Sequence, residues 1–134
     1  MTLSEHYSAT LIDHFEHPRN AGAMADANAE GYVVNPVCGD SMRLFLRIED
    51  GRIERASFLT SGCPASIATS SAATELIAGL TIADAEALPR EQFAEAVGGL
   101  PASKVHCSVL AAQAIRIAVE GWRAAQAPRL PQAQ

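Results

Sequence analysis

Apolar side chains at Met42, Leu44, Leu46 and Ile48 alternate with Arg43, Phe45, Arg47 and Glu49. That period of two predicts a half-buried strand. Asp50-Gly51 follows, a dipeptide suited to a two-residue hairpin turn. Ile53 to Thr60 then reads as the return strand, and Tyr32-Val33-Val34, within Gly31 to Pro36, as a further short strand. A small antiparallel sheet of about three strands is expected.

Elsewhere the period is helical. Tyr7, Leu11 and Phe15 recur at helical spacing over Ser4 to Phe15, and His17-Pro18 stops the run, because the residue before a proline disfavours the helical region. Arg19 to Glu30 is small, polar and punctuated by Gly and Asn, and reads as a loop. Ala65 to Ala78 predicts a helix, with Pro64 suited to its first position and Gly79 to its C-terminal stop. Ile82 to Leu88 and Glu91 to Val97 are shorter helices. Gly98-Gly99-Leu100-Pro101 breaks the chain before the longest predicted helix, Ser103 to about Gln126, with Leu110, Ala114, Ile117 and Gly121 down one side. Residues 127–134 read as a flexible tail. Strands first and helices after, the helices covering one face of the sheet, is an α+β pattern. A single domain over 1–134, with its core at about 4–125, is expected.

Composition sharpens this outline. The chain is 49% hydrophobic, but 26 of its 134 residues are alanine and only 5% are aromatic, so the core must be built from small and aliphatic side chains packed closely. Ten Lys and Arg against fifteen Asp and Glu give a net charge of −5, which argues against a nucleic-acid partner, since phosphate binding needs clustered positive charge. No apolar run reaches the ~18 residues of a membrane span. Met1 to Asn20 lacks a basic start followed by an apolar stretch, so no membrane association is expected and a cytoplasmic location follows. Thiols stay reduced there, and three cysteines would leave one unpaired in any disulfide scheme, so metal or thiol chemistry is the better reading.

The cysteines stand at 38, 63 and 107, with no C-x-x-C pair. Cys38 lies in Pro36-Val37-Cys38-Gly39-Asp40, where thiol and carboxylate are either ligands of one ion or simply a loop cysteine beside a turn aspartate. Cys63, in Ser61-Gly62-Cys63-Pro64-Ala65-Ser66, falls at the start of a helix, where unpaired N–H groups are expected to lower its thiol pKa. It reads as a nucleophile or ligand, or as a small buried residue at a strand–helix junction. Cys107, in Lys104-Val105-His106-Cys107-Ser108, also feels a helix N-terminus. Its neighbour His106 can join it on one metal only near a flexible helix start, since adjacent helical residues point about 100° apart. If the fold gathers these segments, three thiols, a carboxylate, an imidazole and an ammonium share one pocket. Zinc accepts such donors, and so does an iron–sulfur cluster. A structural zinc is the plainer alternative, whereas the H-E-x-x-H of zinc hydrolases is absent.

Four ordered motifs carry a family resemblance: Tyr7 with Leu11-Ile12-Asp13-His14-Phe15-Glu16-His17-Pro18-Arg19-Asn20, then Pro36 to Asp40, Ser61 to Ala68, and Lys104 to Ala111. From about Ser4 to about Trp122 the chain resembles the IscU/NifU-type iron–sulfur cluster assembly scaffolds. The resemblance implies an IscU/SufE-like fold. It implies a labile [2Fe–2S] cluster built from Fe2+ and desulfurase-derived sulfur on Cys38, Cys63, Cys107 and His106, with Asp40 as the alternative ligand that keeps the cluster labile, and Zn2+ in the cluster-free form. It implies that Cys107 receives sulfur as a persulfide from a cysteine desulfurase, that Lys104 shapes the site, and that Tyr7 belongs to a segment used in partner contacts. Ferredoxin and frataxin-like partners and recipient apo iron–sulfur proteins are implied as well. The family's chaperone loop reads Leu-Pro-Pro-Val-Lys. Here Leu100-Pro101-Ala102-Ser103-Lys104 departs from it, which counts against recognition by a dedicated Hsp70-type chaperone. The related zinc-bound sulfur-acceptor branch, SufU-like and working as a sulfurtransferase, typically lacks the histidine before the last cysteine. His106 therefore favours the scaffold, which is not an enzyme, over that alternative.

Overall fold

The alternating segment is the central strand of a three-stranded antiparallel sheet of order β1-β2-β3, formed by β1 (Ala29–Val34), β2 (Ser41–Glu49) and β3 (Arg52–Ser61). The structure, a computed structural model, describes residues 7–36 and 39–126. Met42, Leu44, Leu46 and Ile48 all face the core, as their spacing requires, and Phe45 is buried on the opposite face. Asp50 and Gly51 both take positive φ (52° and 73°), the twist-matched geometry of a tight hairpin, so β3 returns along β2, and a one-residue register shift between Arg47 and Ile48 sets Ser41 opposite Ser61. β1 begins two residues before the predicted strand. The predicted loop lies partly along β3, where Phe58 N–H donates to the Asn20 carbonyl (3.0 Å) and Gly22 N–H donates to that of Phe58 (2.8 Å).

Among the described residues five α-helices accompany the sheet: α1 (Ala9–Glu16), α2 (Pro64–Ile77), α3 (Ile82–Ala87), α4 (Arg90–Ala96) and α5 (His106–Gln126), the last preceded by a 3-10 turn at Ala102–Lys104. The α+β architecture and the long C-terminal helix are as the sequence predicts. Within the described residues α1 starts later than the predicted Ser4, at Ala9, because Ser8 caps it: the Ser8 hydroxyl accepts from Leu11 N–H (3.0 Å). α2 is buried on nearly every side, wedged between α1 and β3. Most of its hydroxyls are tolerated because they are paired, although Thr69 Oγ1 is buried without a partner. Ser70 meets Thr60 (2.7 Å), Ser71 meets His14 Nδ1 and Arg19 N–H (both 2.8 Å), and Thr74 accepts from Asn20 (3.1 Å).

α5 lies across β1 at Gly31, where a Cβ would sit 2.2 Å from the Ala114 carbonyl oxygen. This close approach corrects the predicted stripe. Leu110 and Ala114 are buried, but Ile117 is 43% exposed and Gly121 is exposed too. The buried face is centred on Ala111, Ile115, Ala118 and Val119, and the small side chains of Ala114 and Ala118 let the two backbones meet. A second apolar cluster joins Leu11 of α1 to Ala65, Ala68 and Ala72 of α2, Val97 and Cys107, with Tyr7 and Phe15 packed against it. No helix among the described residues is long and apolar enough to cross a membrane.

Candidate metal centre

Because Ser41 pairs with Ser61, the residue before β2 comes to lie beside the residues after β3. Asp40 thus reaches Gly62 and Cys63. Gly62 leaves room for the carboxylate in this position: a Cβ there would stand 2.6 Å from Asp40 Cγ and 2.9 Å from both its carboxylate oxygens, so a larger residue would push that side chain aside. Cys63 is the N-cap of α2, but its side chain makes no capping bond. The thiol turns instead towards Asp40, with Sγ 3.6 Å from Oδ2 and 3.6 Å from Ser66 Oγ. The start of α5 brings His106 and Cys107 to the same point. His106 Nε2 is 3.9 Å from Asp40 Oδ2 and 3.7 Å from Cys107 Sγ. Their separation around the helix is overcome because they are its first two residues, where the ring can swing back over the sulfur.

Burial divides these groups. Asp40 is partly buried, which opposes its charge, yet hydrogen bonds from Ser66 and Cys63 and the nearby His106 outweigh that and hold its carboxyl below the ordinary value. Cys107 is only 2% exposed, and burial pushes its thiol up to about 12, with the hydrogen bond to Ser66 opposing the rise and Cys63 and Asp40 adding to it. The helix N-terminus was expected to act the other way on a thiol. Desolvation overrides it at Cys107, so the resting side chain is a protonated thiol. Lys104 is held above its ordinary value by nearby Cys63 first, against desolvation, with Tyr7, Cys107 and Asp40 adding to the rise. Tyr7 is raised mainly by burial, against the pull of Lys104. The structure therefore gathers Asp40, Cys63, His106 and Cys107, with Lys104 and Tyr7 within electrostatic reach. Cys38 lies outside the described residues.

Asp40, His106 and Cys107 present an oxygen, a nitrogen and a sulfur within 4.8 Å of one another. Tetrahedral donors at about 2.1–2.3 Å from zinc lie roughly 3.5 Å apart, so these side chains need little movement to close on an ion. The donor set fits zinc and ferrous iron alike, and thiolates supply what an iron–sulfur cluster prefers.

The NifU-like N terminal domain family matches residues 6–128. The chain belongs to this family. It is 52% identical over 113 residues to the iron–sulfur cluster assembly scaffold protein IscU 1 of Archaeoglobus fulgidus, covering 84% of this chain and 74% of that protein. It is 46% identical over 121 residues to the scaffold protein IscU of Azotobacter vinelandii, covering 87% of this chain and 94% of the other. In solved structures the fold recurs in the N-terminal NifU-like protein of Brucella abortus (TM-score 0.68, 15% identity, 90% and 95% of the two chains). It recurs also in the SUF-system protein of Fervidobacterium islandicum (TM-score 0.69, 22% identity, 88% and 99%).

Two residues of this NifU-like domain escape a reading by motif alone. Gly62 makes room for Asp40, and Ser66 touches three of the site's side chains. Ser66 was findable: a residue three beyond a helix N-cap faces back over it.

Proposed function

We propose that the protein is a non-enzymatic scaffold on which an iron–sulfur cluster is assembled and from which it passes to apo-proteins. The observation that carries this reading is the mixed donor set at one end of the sheet, Asp40, His106 and Cys107 within 4.8 Å, with the Cys63 thiol 3.6 Å from Asp40. The names of its IscU relatives support it. Thiolates hold iron firmly, whereas a carboxylate oxygen and an imidazole hold it less so, which suits a cluster that must leave. The proposed ligand set is Cys38, Cys63, His106 and Cys107 with Asp40 as the exchangeable oxygen, and the proposed cargo is [2Fe–2S].

Sulfur arrives from a donor protein, proposed to be a cysteine desulfurase. The Cys107 thiolate attacks the terminal sulfur of the donor's persulfide, one S–S bond forms as another breaks, and the donor cysteine leaves as a thiolate with no net oxidation. Burial favours the protonated form of Cys107, so entry of a cation or opening of the site by the partner would favour that thiolate. The thiols must be reduced, which fits a reducing compartment such as the cytoplasm.

The test is anaerobic reconstitution of metal-stripped protein with ferrous iron, cysteine and a cysteine desulfurase. Visible charge-transfer bands with about two irons and two sulfides per cluster are expected, and Cys107→Ser should abolish them. A colourless protein that keeps one zinc and speeds the desulfurase would replace this reading with the zinc-bound sulfur acceptor.

A further inference from the structure

The Ser66 hydroxyl donates to Asp40 Oδ2 at 2.5 Å and lies 3.2 Å from Cys107 Sγ and 3.6 Å from Cys63 Sγ. The same oxygen thus touches both the carboxylate and the Cys107 sulfur. The residue is 1% exposed and stands in the first turn of α2. Its carbonyl accepts from Ser70 (2.8 Å), whose hydroxyl in turn meets Thr60 of β3 (2.7 Å). Asp40 enters from the loop before β2 and Cys107 from α5, so neither fixes the other through the chain. Ser66, tied to the sheet, meets both.

We propose that Ser66 is a positioning residue of the site. By holding the Asp40 carboxylate and the Cys107 sulfur in one constellation before an ion arrives, it sets how tightly the first divalent metal is taken up and that Asp40 is among its ligands. This rests on the reading of Asp40, His106 and Cys107 as a metal-holding group. A hydrogen bond to a charged carboxylate is among the strong ones, and losing such a partner of a ligand typically weakens metal binding by about 10- to 100-fold.

The probe is Co2+, titrated anaerobically into the full chain, wild type, Ser66→Ala, Asp40→Ala and the double variant. Its visible bands report both affinity and the kinds of atom bound. Alanine is already abundant in α2 and leaves the backbone alone, so Ser66→Ala is expected to keep the wild-type circular dichroism. The expected result is a 10- to 100-fold weaker affinity for Ser66→Ala, with its bands shifted towards those of Asp40→Ala, and a double variant close to Asp40→Ala alone. Wild-type affinity and bands in Ser66→Ala would overturn the proposal, as would a loss that adds in full to that of Asp40→Ala. Should the wild type itself take up no Co2+, the metal-site reading beneath the proposal fails instead.

Discussion

His14 shows how one buried side chain sets a response to pH. It is 7% exposed, Ser71 Oγ lies 2.8 Å from Nδ1, and Nε2 is 3.7 Å from Glu75. Burial first, then the Arg19 charge, lowers its pKa below the ordinary value of about 6.5, while Glu75 and Asp13 pull weakly the other way. The unfolded chain therefore binds this proton before the folded one does. The contribution of His14 is fully present above about pH 6.5 and is lost as pH falls towards the folded value, at a slope of at most about 1.4 kcal/mol per pH unit. Urea midpoints at pH 7.5 and 5.5 should differ more for wild type than for His14→Gln, and equal differences would remove His14 from this role. At the metal centre, Asp40→Ala removes the hard, exchangeable oxygen donor. A cluster assembled on that variant should outlast the wild-type cluster in air, read from the decay of its visible bands, and equal decay would take Asp40 out of cluster release.

Two contacts decide how elements meet. The Ser8 hydroxyl both caps α1 and donates to the Val97 carbonyl, so one group starts the helix and ties it to the end of α4. Ser8→Ala should cost about 1–2 kcal/mol in chemical denaturation, the cap accounting for most of it. Gly31 is the other contact. An added Cβ would meet two backbone atoms, the Ala114 oxygen at 2.2 Å and the Ala118 nitrogen at 2.9 Å, neither of which can rotate away. Gly31→Ala should therefore force α5 off β1 and cost about 3 kcal/mol, seen as a lower urea midpoint. Displacing α5 also displaces His106 and Cys107, so the same variant should bind Co2+ more weakly. A variant as stable as wild type would show that the helix has room to shift.

At the scale of the whole molecule, the main apolar core, from Leu44 and Phe93 to Ile115 and Val119, contains none of the described donor residues. Chelator-stripped protein should keep a cooperative thermal transition, and zinc at about 100 times its Kd should add about 2.7 kcal/mol, several degrees in Tm. Loss of the transition on chelation would mean that the ion is a structural staple, as in a zinc finger. Much of this architecture was legible in the chain. The period of two in β2, the Asp50-Gly51 turn and the proline and glycine around α2 are local signals, and local sterics enforce them. The face of α5 was misjudged because alanines carry little hydrophobic weight in a pattern, while their real use, close approach to Gly31, depends on another element. The state of the Cys107 thiol was missed for a similar reason: a helix N-terminus is visible in sequence, but the desolvation that overrides it is not.

Propensity, period and turn chemistry act over a few residues, so most elements, their order and the types of donor available could be read from the chain. The meeting of Asp40, Cys63, His106 and Cys107 around Ser66 is a product of folding. That depends on the register of Ser41 with Ser61 and on α5 settling against Gly31, contacts between residues far apart in the chain, selected by packing rather than by local preference.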